Sequence, residues 1–216
     1  MHKNKGLNEL KKRGIKSIAL LISNNIGSTQ QAEMLENKIV QDGSIEIIGK
    51  EIFNPGTRDF RMIIQKITDN KEPDIFYVDG ITPDATLVAK YLKEITGKVN
   101  LTTINDFIET PERENFEGLW YVESASGTQE YNKMYEDRYG EQVFLCGANM
   151  YDNLDIFIES FEKTDGKNIN EVVENLLKIE NKQGATGSFS IDAEGIVQSF
   201  ANVKVIQNGK AVVVEE

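Results

Sequence analysis

The side chains that could bind a ligand lie in four loops, each of which follows a predicted strand. The loops are Ser23-Asn24-Asn25-Ile26-Gly27, Asn54-Pro55-Gly56-Thr57, Asp79-Gly80-Ile81-Thr82-Pro83 and Ile104-Asn105-Asp106. Their amides, hydroxyls and carboxylates suit hydrogen bonds to a small polar molecule better than covalent chemistry. In open parallel sheets such loops converge on one edge and bind ligands there. We therefore expect a ligand site in these loops, although Asp79 and Asp106 also fit ordinary loop and helix-cap roles.

The groups needed for catalytic or cofactor chemistry are scarce in this sequence. The single histidine, His2, lies next to the first residue, so a Ser-His-Asp or Cys-His arrangement lacks a base. The single cysteine, Cys146, allows no internal disulfide and is expected to be a buried apolar residue. Neither a G-x-G-x-x-G pattern after the first strand nor a P-loop pattern is present. We expect a binding protein without catalytic activity, metal or cofactor.

Residues 16–103 alternate between strand and helix patterns. Strands are predicted at 16–23, 45–53, 74–78 and 99–103, and helices at 28–42, 59–70 and 83–96. The uninterrupted apolar run at 18–22 is typical of a strand buried on both faces. Three consecutive strand-helix-strand units predict an α/β fold: a three-layer parallel sheet with helices on both faces.

The pattern changes after residue 104. A short helical or irregular piece is predicted at 111–116, a strand at 118–123, and helices at 128–139, 148–163 and 170–181. The chain then returns to strands, and Asn208-Gly209 is a strong signal for a two-residue turn in a C-terminal β-hairpin.

Composition limits the partners of the protein. The formal net charge is −11, which disfavours nucleic acid because affinity for phosphate backbones depends on clustered Lys and Arg. A basic run within residues 3–16 is explained as the solvated face of a first helix that turns Leu7 and Leu10 inward.

No apolar stretch reaches the length of a membrane span. A cytosolic protein, or one whose export signal lies outside this chain, is expected.

Two other α/β classes fit the sequence less well. A signalling receiver domain needs paired acids after its first strand and a lysine after its fifth, and neither is present. A flavodoxin-like flavin-binding domain is a closer alternative, because S-N-N-I-G-S-T before a helix could hold an anion at the helix N-terminus. That loop is one residue too long for the flavodoxin pattern.

The order of elements resembles a known family, the type 1 periplasmic solute-binding proteins of ABC transporters, in particular the branched-chain amino-acid (Leu/Ile/Val) group. The most specific motifs are E-I-F-N-P-G-T-R-D-F and G-A-T-G-S-F-S-I-D-A-E-G. Between them, in the family's order, stand E-P-D-I-F-Y-V-D-G, F-E-G-L-W-Y-V-E-S, Y-N-K-M-Y-E-D-R-Y-G and M-Y-D-N-L-D-I-F-I-E-S-F-E-K-T.

This resemblance implies two α/β lobes that close over a ligand at their interface. Residues 1–117 would form the second, Rossmann-like lobe, 118–185 the helical part of the other lobe, and 186–216 strands that return to the second lobe. The segment that builds most of the first lobe in the family is missing, so one lobe would be incomplete. By position, the family's ligand contacts fall near Ile26, at Ile81 or Thr82, and at Asn105 or Asp106. An acid at the last position pairs with the ligand ammonium in the family, and Asp106 keeps that chemistry.

The resemblance also implies how the protein would work. It would bind a small ligand such as an amino acid. Ser23, Asn24 and Asp79, which come from the strand-end loops rather than from the resemblance, are further candidate contacts. It would deliver that ligand outside the cytoplasm, in the periplasm or on a lipid anchor, to an ABC permease. A ligand-sensing receptor or regulatory domain of the same fold is the alternative. Helix residues 151–161, deprived of the sheet that they cover in the family, would expose an apolar surface and favour a homodimer.

Overall fold

The computed structural model describes residues 5–104, 113–124, 126–144, 146–164 and 166–214. Two compact units are present. The α/β unit comprises Asn4–Glu123 and Asn202–Glu216, and the helical unit comprises Ser124–Ala201.

The α/β unit is built around a parallel sheet. Its four strands are β1 (Ser17–Ser23), β2 (Glu46–Phe53), β3 (Ile75–Asp79) and β4 (Leu101–Thr102), in the order β2-β1-β3-β4. Its helices are α1 (Lys5–Lys12), α2 (Ile26–Asp42), α3 (Arg61–Thr68) and α4 (Asp84–Thr96), and a short 3₁₀ helix spans Arg113–Phe116. All three strand pairs of the sheet are parallel, as the sequence pattern predicted.

Both faces of this sheet are covered. Every residue of β1 is buried, and its side chains alternate between two cores: Ala19 and Leu21 pack in the core of α3 and α4, whereas Ile18, Leu20 and Ile22 pack in that of α1 and α2. This alternation follows from the two-residue period of a strand, and it explains why β1 is a continuous apolar run. The three-layer prediction is confirmed.

A second, three-stranded sheet in the order β10-β9-β5 completes the α/β unit. It contains β5 (Trp120–Ser124), β9 (Ala201–Gln207) and β10 (Lys210–Val213). The turn between β9 and β10 has positive φ at both Asn208 (52°) and Gly209 (68°), as a type I′ turn requires, and the Glu117 carboxylate accepts both amide protons. The predicted C-terminal hairpin is confirmed.

The helical unit combines three helices with a small antiparallel sheet. They are α5 (Gln129–Tyr139), α6 (Gly147–Lys163) and α7 (Ile169–Leu176), with β6 (Lys182–Gly184), β7 (Gly187–Ile191) and β8 (Val197–Gln198). The buried carboxylate of Asp152 on α6 accepts hydrogen bonds from the Ala185 and Thr186 amides and from the Thr186 hydroxyl, at 2.6–2.8 Å. These bonds fix the G-A-T-G segment between β6 and β7 to α6.

The structure differs from the sequence predictions in several places, of which three concern this part of the chain or its division into units. Helix α7 ends at Leu176 rather than 181: the Ile179 carbonyl accepts the Ile191 amide proton and the Asn181 amide donates to Ser190 Oγ, so the segment before β6 runs along β7. The units divide at Glu123/Ser124 and Ala201/Asn202 rather than at 117/118 and 185/186, because β5 joins the α/β unit whereas β6, β7 and β8 pair with one another. Cys146, expected to be buried, is exposed in a left-handed conformation just before α6.

Within the described ranges, none of the helices combines the length and apolar character that a bilayer crossing would require.

Candidate functional site

The candidate site lies at the carboxyl edge of the parallel sheet, where β1 and β3 are neighbours. From β1 the chain crosses to β2 on one side, whereas from β3 it crosses to β4 on the other, so the strand order reverses between β1 and β3. At such a switch point the following loops separate and leave a crevice, which is where open α/β sheets bind ligands.

The loop after β1 ends in the capped start of α2. Asn25 is the N-cap: its Oδ1 accepts the Ser28 amide proton at 2.9 Å, and its Nδ2 donates to Ser28 Oγ at 3.0 Å. This cap starts the helix at Ile26, two residues before the predicted start. The Ile26 side chain is 79% exposed, so a large apolar group stands free at this edge.

Asp79, the last residue of β3, is the most unusual group at the edge. It is only 4% exposed, yet neutral hydroxyls hold it: Tyr77 Oη donates to its Oδ2 at 2.5 Å, and Ser28 also hydrogen-bonds to it. Burial raises the pKa of Asp79, and these two hydrogen bonds oppose the rise. Asn25, Ser28, Asp79 and Tyr77 therefore form one hydrogen-bonded chain from α2 to β3.

The loop after β3 contains a second buried acid. Asp84 Oδ2 accepts the Ile81 amide proton at 3.1 Å, and burial raises the pKa of this carboxyl. A Cβ atom at position 80 would lie 2.5 Å from that oxygen, so a residue larger than Gly80 would have to displace the Asp84 side chain. Ile81 is 61% exposed, and Thr82 is exposed before a cis peptide bond to Pro83.

The loop after β2 lies beside the same edge. Asn24 Nδ2 donates to Asn54 Oδ1 at 3.3 Å, and the Asn24 amide donates to the Phe53 carbonyl at 2.7 Å. At the start of α3, Asp59 accepts the Arg61 amide proton, and the Arg61 guanidinium lowers the pKa of Asp59 to about 2. The N-P-G-T-R-D turn thus adjoins the β1 loop.

The structure places six predicted site residues on two adjacent strand ends. Ser23, Asn24 and Ile26 lie at the end of β1, and Asp79, Ile81 and Thr82 at the end of β3. The other two, Asn105 and Asp106, lie outside the described residues.

Sequence reasoning missed three polar groups at this edge: Ser28, Tyr77 and Thr103. The alternation of β3 could have identified Tyr77, because residues two apart share a face of the sheet. Ser28 could be identified as a partner of Asp79 only from the tertiary structure. Ser23 Oγ and Thr103 Oγ1 are fully buried and find no hydrogen-bond partner among the described residues.

The chemistry available here is recognition by hydrogen bonds and apolar contact. The edge offers carboxylates, amides and hydroxyls between two exposed isoleucine side chains. Across the described ranges, no three His, Cys, Asp or Glu side chains come together as a potential metal site.

Comparison with known proteins gives a result only at the level of structure. No protein-family model matches the sequence, and no curated protein matches it either. Among solved structures, the leucine-binding protein LivK of Thermotoga maritima superposes with a TM-score of 0.77 at 20% identity, over 97% of this chain and 62% of that one.

Two further structures illustrate the range of ligands. The substrate-binding protein LivJ of Streptococcus pneumoniae, in complex with isoleucine, has a TM-score of 0.70 at 21% identity, over 98% of this chain and 64% of that one. A solute-binding protein of an ABC transporter from R. palustris, in complex with benzoate, has a TM-score of 0.71 at 14% identity, over 96% of this chain and 60% of that one.

These matches cover nearly all of the chain, although it spans only about three-fifths of the length of the proteins that it matches. The resemblance inferred from the sequence motifs is thus matched by the three-dimensional structure. The chain has the type 1 periplasmic binding protein fold of the substrate-binding proteins of ABC transporters.

Proposed function

We propose that the protein is a solute-binding component of an ABC transporter, which binds a small polar ligand such as an amino acid. The observation that carries this proposal is the superposition of 97% of the chain on a leucine-binding protein with a TM-score of 0.77. A binding role needs no catalytic group. It also agrees with an edge that offers hydrogen bonds and apolar contact but no histidine.

The ligand would bind at the β1/β3 edge. Asn24 and Thr82 supply exposed polar groups, whereas Ile26 and Ile81 supply apolar surface that water covers poorly. Ser23 and Asp79 form the buried floor between them. Asn105 and Asp106 are included in the proposed site because the family resemblance places the third ligand contact at one of them.

The proposal includes a location and a partner. Similar solved proteins include a periplasmic ligand-binding protein from Burkholderia xenovorans. We place this protein outside the cytoplasm, where it would present its ligand to an ABC permease. Ligand release to the permease requires that the bound and open states differ in affinity for the ligand.

We also propose that two copies associate through the helical unit. Helix α6 buries a stripe of four residues: Ala148, Asp152, Ile156 and Ser160. Its exposed stripe is more apolar than this buried one. It consists of Met150, Tyr151, Leu154, Phe157, Ile158 and Phe161. Exposed Ile169, Val173 and Leu177 extend the apolar surface onto α7 and the residue after it.

The size of this α6/α7 surface favours a second copy as the occupant. Nine large apolar side chains, each roughly half exposed, present an area on the order of several hundred Å². That is at or above the largest apolar patch of a typical monomer, roughly 300–600 Å², and near the ~800 Å² that each partner buries in a standard interface.

Ligand binding is tested by titrating isotopically labelled protein with L-isoleucine and with benzoate. The Ile26 and Ile81 methyl resonances are the readout, because chemical shifts report even millimolar binding. We expect at least one solute to shift both resonances, and Ile26→Ala to weaken binding about tenfold. Val40→Ala is the matched control, since Val40 is an exposed apolar residue at the opposite end of α2. If neither solute shifts either methyl group, the proposed function is wrong.

A further inference from the structure

The turn of the C-terminal hairpin contains a residue pair that can react with itself. Asn208-Gly209 is the single Asn-Gly pair of the sequence, and Asn208 is exposed between β9 and β10. In such a pair the backbone nitrogen after the asparagine can attack the asparagine side-chain carbonyl, because glycine has no side chain that would obstruct the approach. A Cβ atom added at Gly209 would meet no described neighbour within 4 Å, so the surroundings do not shield the pair either.

The reaction is a deamidation, and water is its only co-reactant. The Gly209 nitrogen loses its proton and forms a bond to Asn208 Cγ. The bond from Cγ to the side-chain nitrogen breaks, and this nitrogen takes up the proton and leaves as ammonia. Water then opens the cyclic imide at one of its two carbonyl carbons, so that position 208 becomes either an aspartate or an isoaspartate.

The folded turn holds Asn208 in a conformation from which this attack is impossible. The φ angle of Asn208 is 52°, and in the left-handed region ψ is about +47°. At that ψ the Gly209 nitrogen is nearly anti to the Asn208 Cβ about the Cα–C bond, whereas ring closure needs these two atoms on the same side. Asn208 must therefore leave the left-handed conformation, and the turn must open, before the imide can form.

The Glu117 carboxylate fastens the turn in this conformation. Its Oε1 accepts the Asn208 amide proton at 2.8 Å, and its Oε2 accepts the Gly209 amide proton at 3.2 Å. The second bond is made to the nitrogen that would have to attack. It keeps the proton on that nitrogen, because the carboxylate repels the negative charge that would remain after the proton left.

We propose that Asn208 is a deamidation site, and that Glu117 is the clamp that keeps it unreactive. The rate of modification then follows the population of the open turn. An isoaspartate adds one carbon to the main chain, which does not fit a two-residue turn with Gln207 paired to Lys210. Deamidation therefore loosens β10 from β9 and acts as a slow, irreversible switch on the C-terminal hairpin.

Ageing of the full chain in mildly alkaline buffer tests the site. Deamidation at Asn208 is followed by mass spectrometry of its peptide, with isoaspartate measured separately. We expect Glu117→Ala to deamidate about fivefold faster than wild type or more, because the loss of two hydrogen bonds to a carboxylate favours the open turn. Glu114→Ala is the matched control, since Glu114 is also exposed and lies three residues earlier in the same segment. It should deamidate at the wild-type rate.

Amide hydrogen exchange tests the gating separately from the chemistry. In Glu117→Ala the Asn208 and Gly209 amides should exchange faster by about the same factor as the deamidation, because both processes need the open turn. The amides of β1 are the internal reference and should be unchanged, which shows that the fold is intact. Wild type unfolded in guanidinium chloride should deamidate faster than either folded protein, because its Asn208 is free to leave the left-handed conformation.

Two results would overturn the inference. If Glu117→Ala deamidates no faster than wild type, Glu117 is not a clamp; a slower rate would mean that its carboxylate acts as a base that removes the Gly209 proton. If folded and unfolded wild type deamidate at equal rates, the turn gives Asn208 no protection.

Discussion

Two buried aspartates, Asp152 and Asp79, differ in the groups that donate hydrogen bonds to them. This difference separates a structural role from a binding role. Asp152 receives three hydrogen bonds, two of them from backbone amides of the segment that it anchors. Among the described residues, Asp79 receives hydrogen bonds only from side-chain hydroxyls, those of Tyr77 and Ser28, at the edge of an open sheet. A buried charge that is well paired stabilises its surroundings, whereas a poorly compensated one lowers stability and marks a functional candidate.

The stability contribution of Asp79 should depend on pH. Because burial raises its folded-state pKa, the folded protein binds the proton more tightly than the unfolded chain, and stability falls as pH rises above the unfolded value of about 4. Asp79→Asn removes this loss, and the amide can still hydrogen-bond to Tyr77 and Ser28. We expect the variant to be more stable than wild type at pH 7, with the difference vanishing near pH 4, in urea denaturation at both values. A less stable variant at pH 7 would contradict this account.

Asp152 should behave in the opposite way. Asp152→Ala leaves two buried amides and a hydroxyl without their acceptor, which should cost about 3 kcal/mol or more in the free energy of unfolding. The control is Asp155→Ala on the same helix, whose exposed ion pair with Lys182 should be worth less than about 1 kcal/mol. Equal losses in the two variants, measured by denaturant unfolding, would show that Asp152 does not anchor the G-A-T-G segment.

At the level of elements, a buried ion pair joins β5 to β9. It lies near residues 123 and 202, which are boundaries of the α/β unit. Lys204 Nζ lies 2.6 Å from Glu123 Oε2, with both side chains mostly buried, and Tyr121 Oη donates to the same carboxylate at 3.0 Å. Burial, together with this carboxylate, raises the pKa of Tyr121, so the phenol stays a hydrogen-bond donor. The pair holds the two strands together inside the α/β unit.

A double-mutant cycle measures this link. Lys204→Met leaves Glu123 buried and unpaired, which should cost about 3–5 kcal/mol, whereas Glu123→Met with Lys204→Met should recover much of the loss because no unpaired charge remains. The free energies of unfolding come from urea denaturation of the four proteins. Simple additivity of the two single losses would mean that the ion pair does not couple these strands.

The boundaries of elements were predicted best where local chemistry decides them. The Asn208-Gly209 turn was predictable because few residues adopt positive φ at two successive positions. The α2 start lies two residues before the predicted one because Asn25 caps the helix, which therefore begins at Ile26. The α7 end was displaced because Ile179 and Asn181 hydrogen-bond to Ile191 and Ser190 of β7, long-range contacts that only the fold reveals.

At the scale of the whole molecule, the exposed stripe of α6 predicts an oligomer. The chain at tens of micromolar should sediment as a dimer, and Leu154→Glu should shift it to a monomer because Leu154, 60% exposed, lies in the middle of the apolar stripe. Glu162→Lys, on the exposed polar side of the same helix, is the control and should leave the dimer intact. A wild-type monomer in sedimentation velocity would overturn the proposed homodimer.

The sequence by itself determined the architecture of this protein. Strand and helix periods, the apolar run of β1 and the Asn-Gly turn are local properties, so they fixed the parallel sheet, the layers and the edge where the loops meet. The tertiary structure alone decided that Asp79 is buried against Ser28 and that Cys146 faces solvent. These facts depend on which distant segments pack together, and burial and charge compensation are properties of that packing rather than of any stretch of sequence.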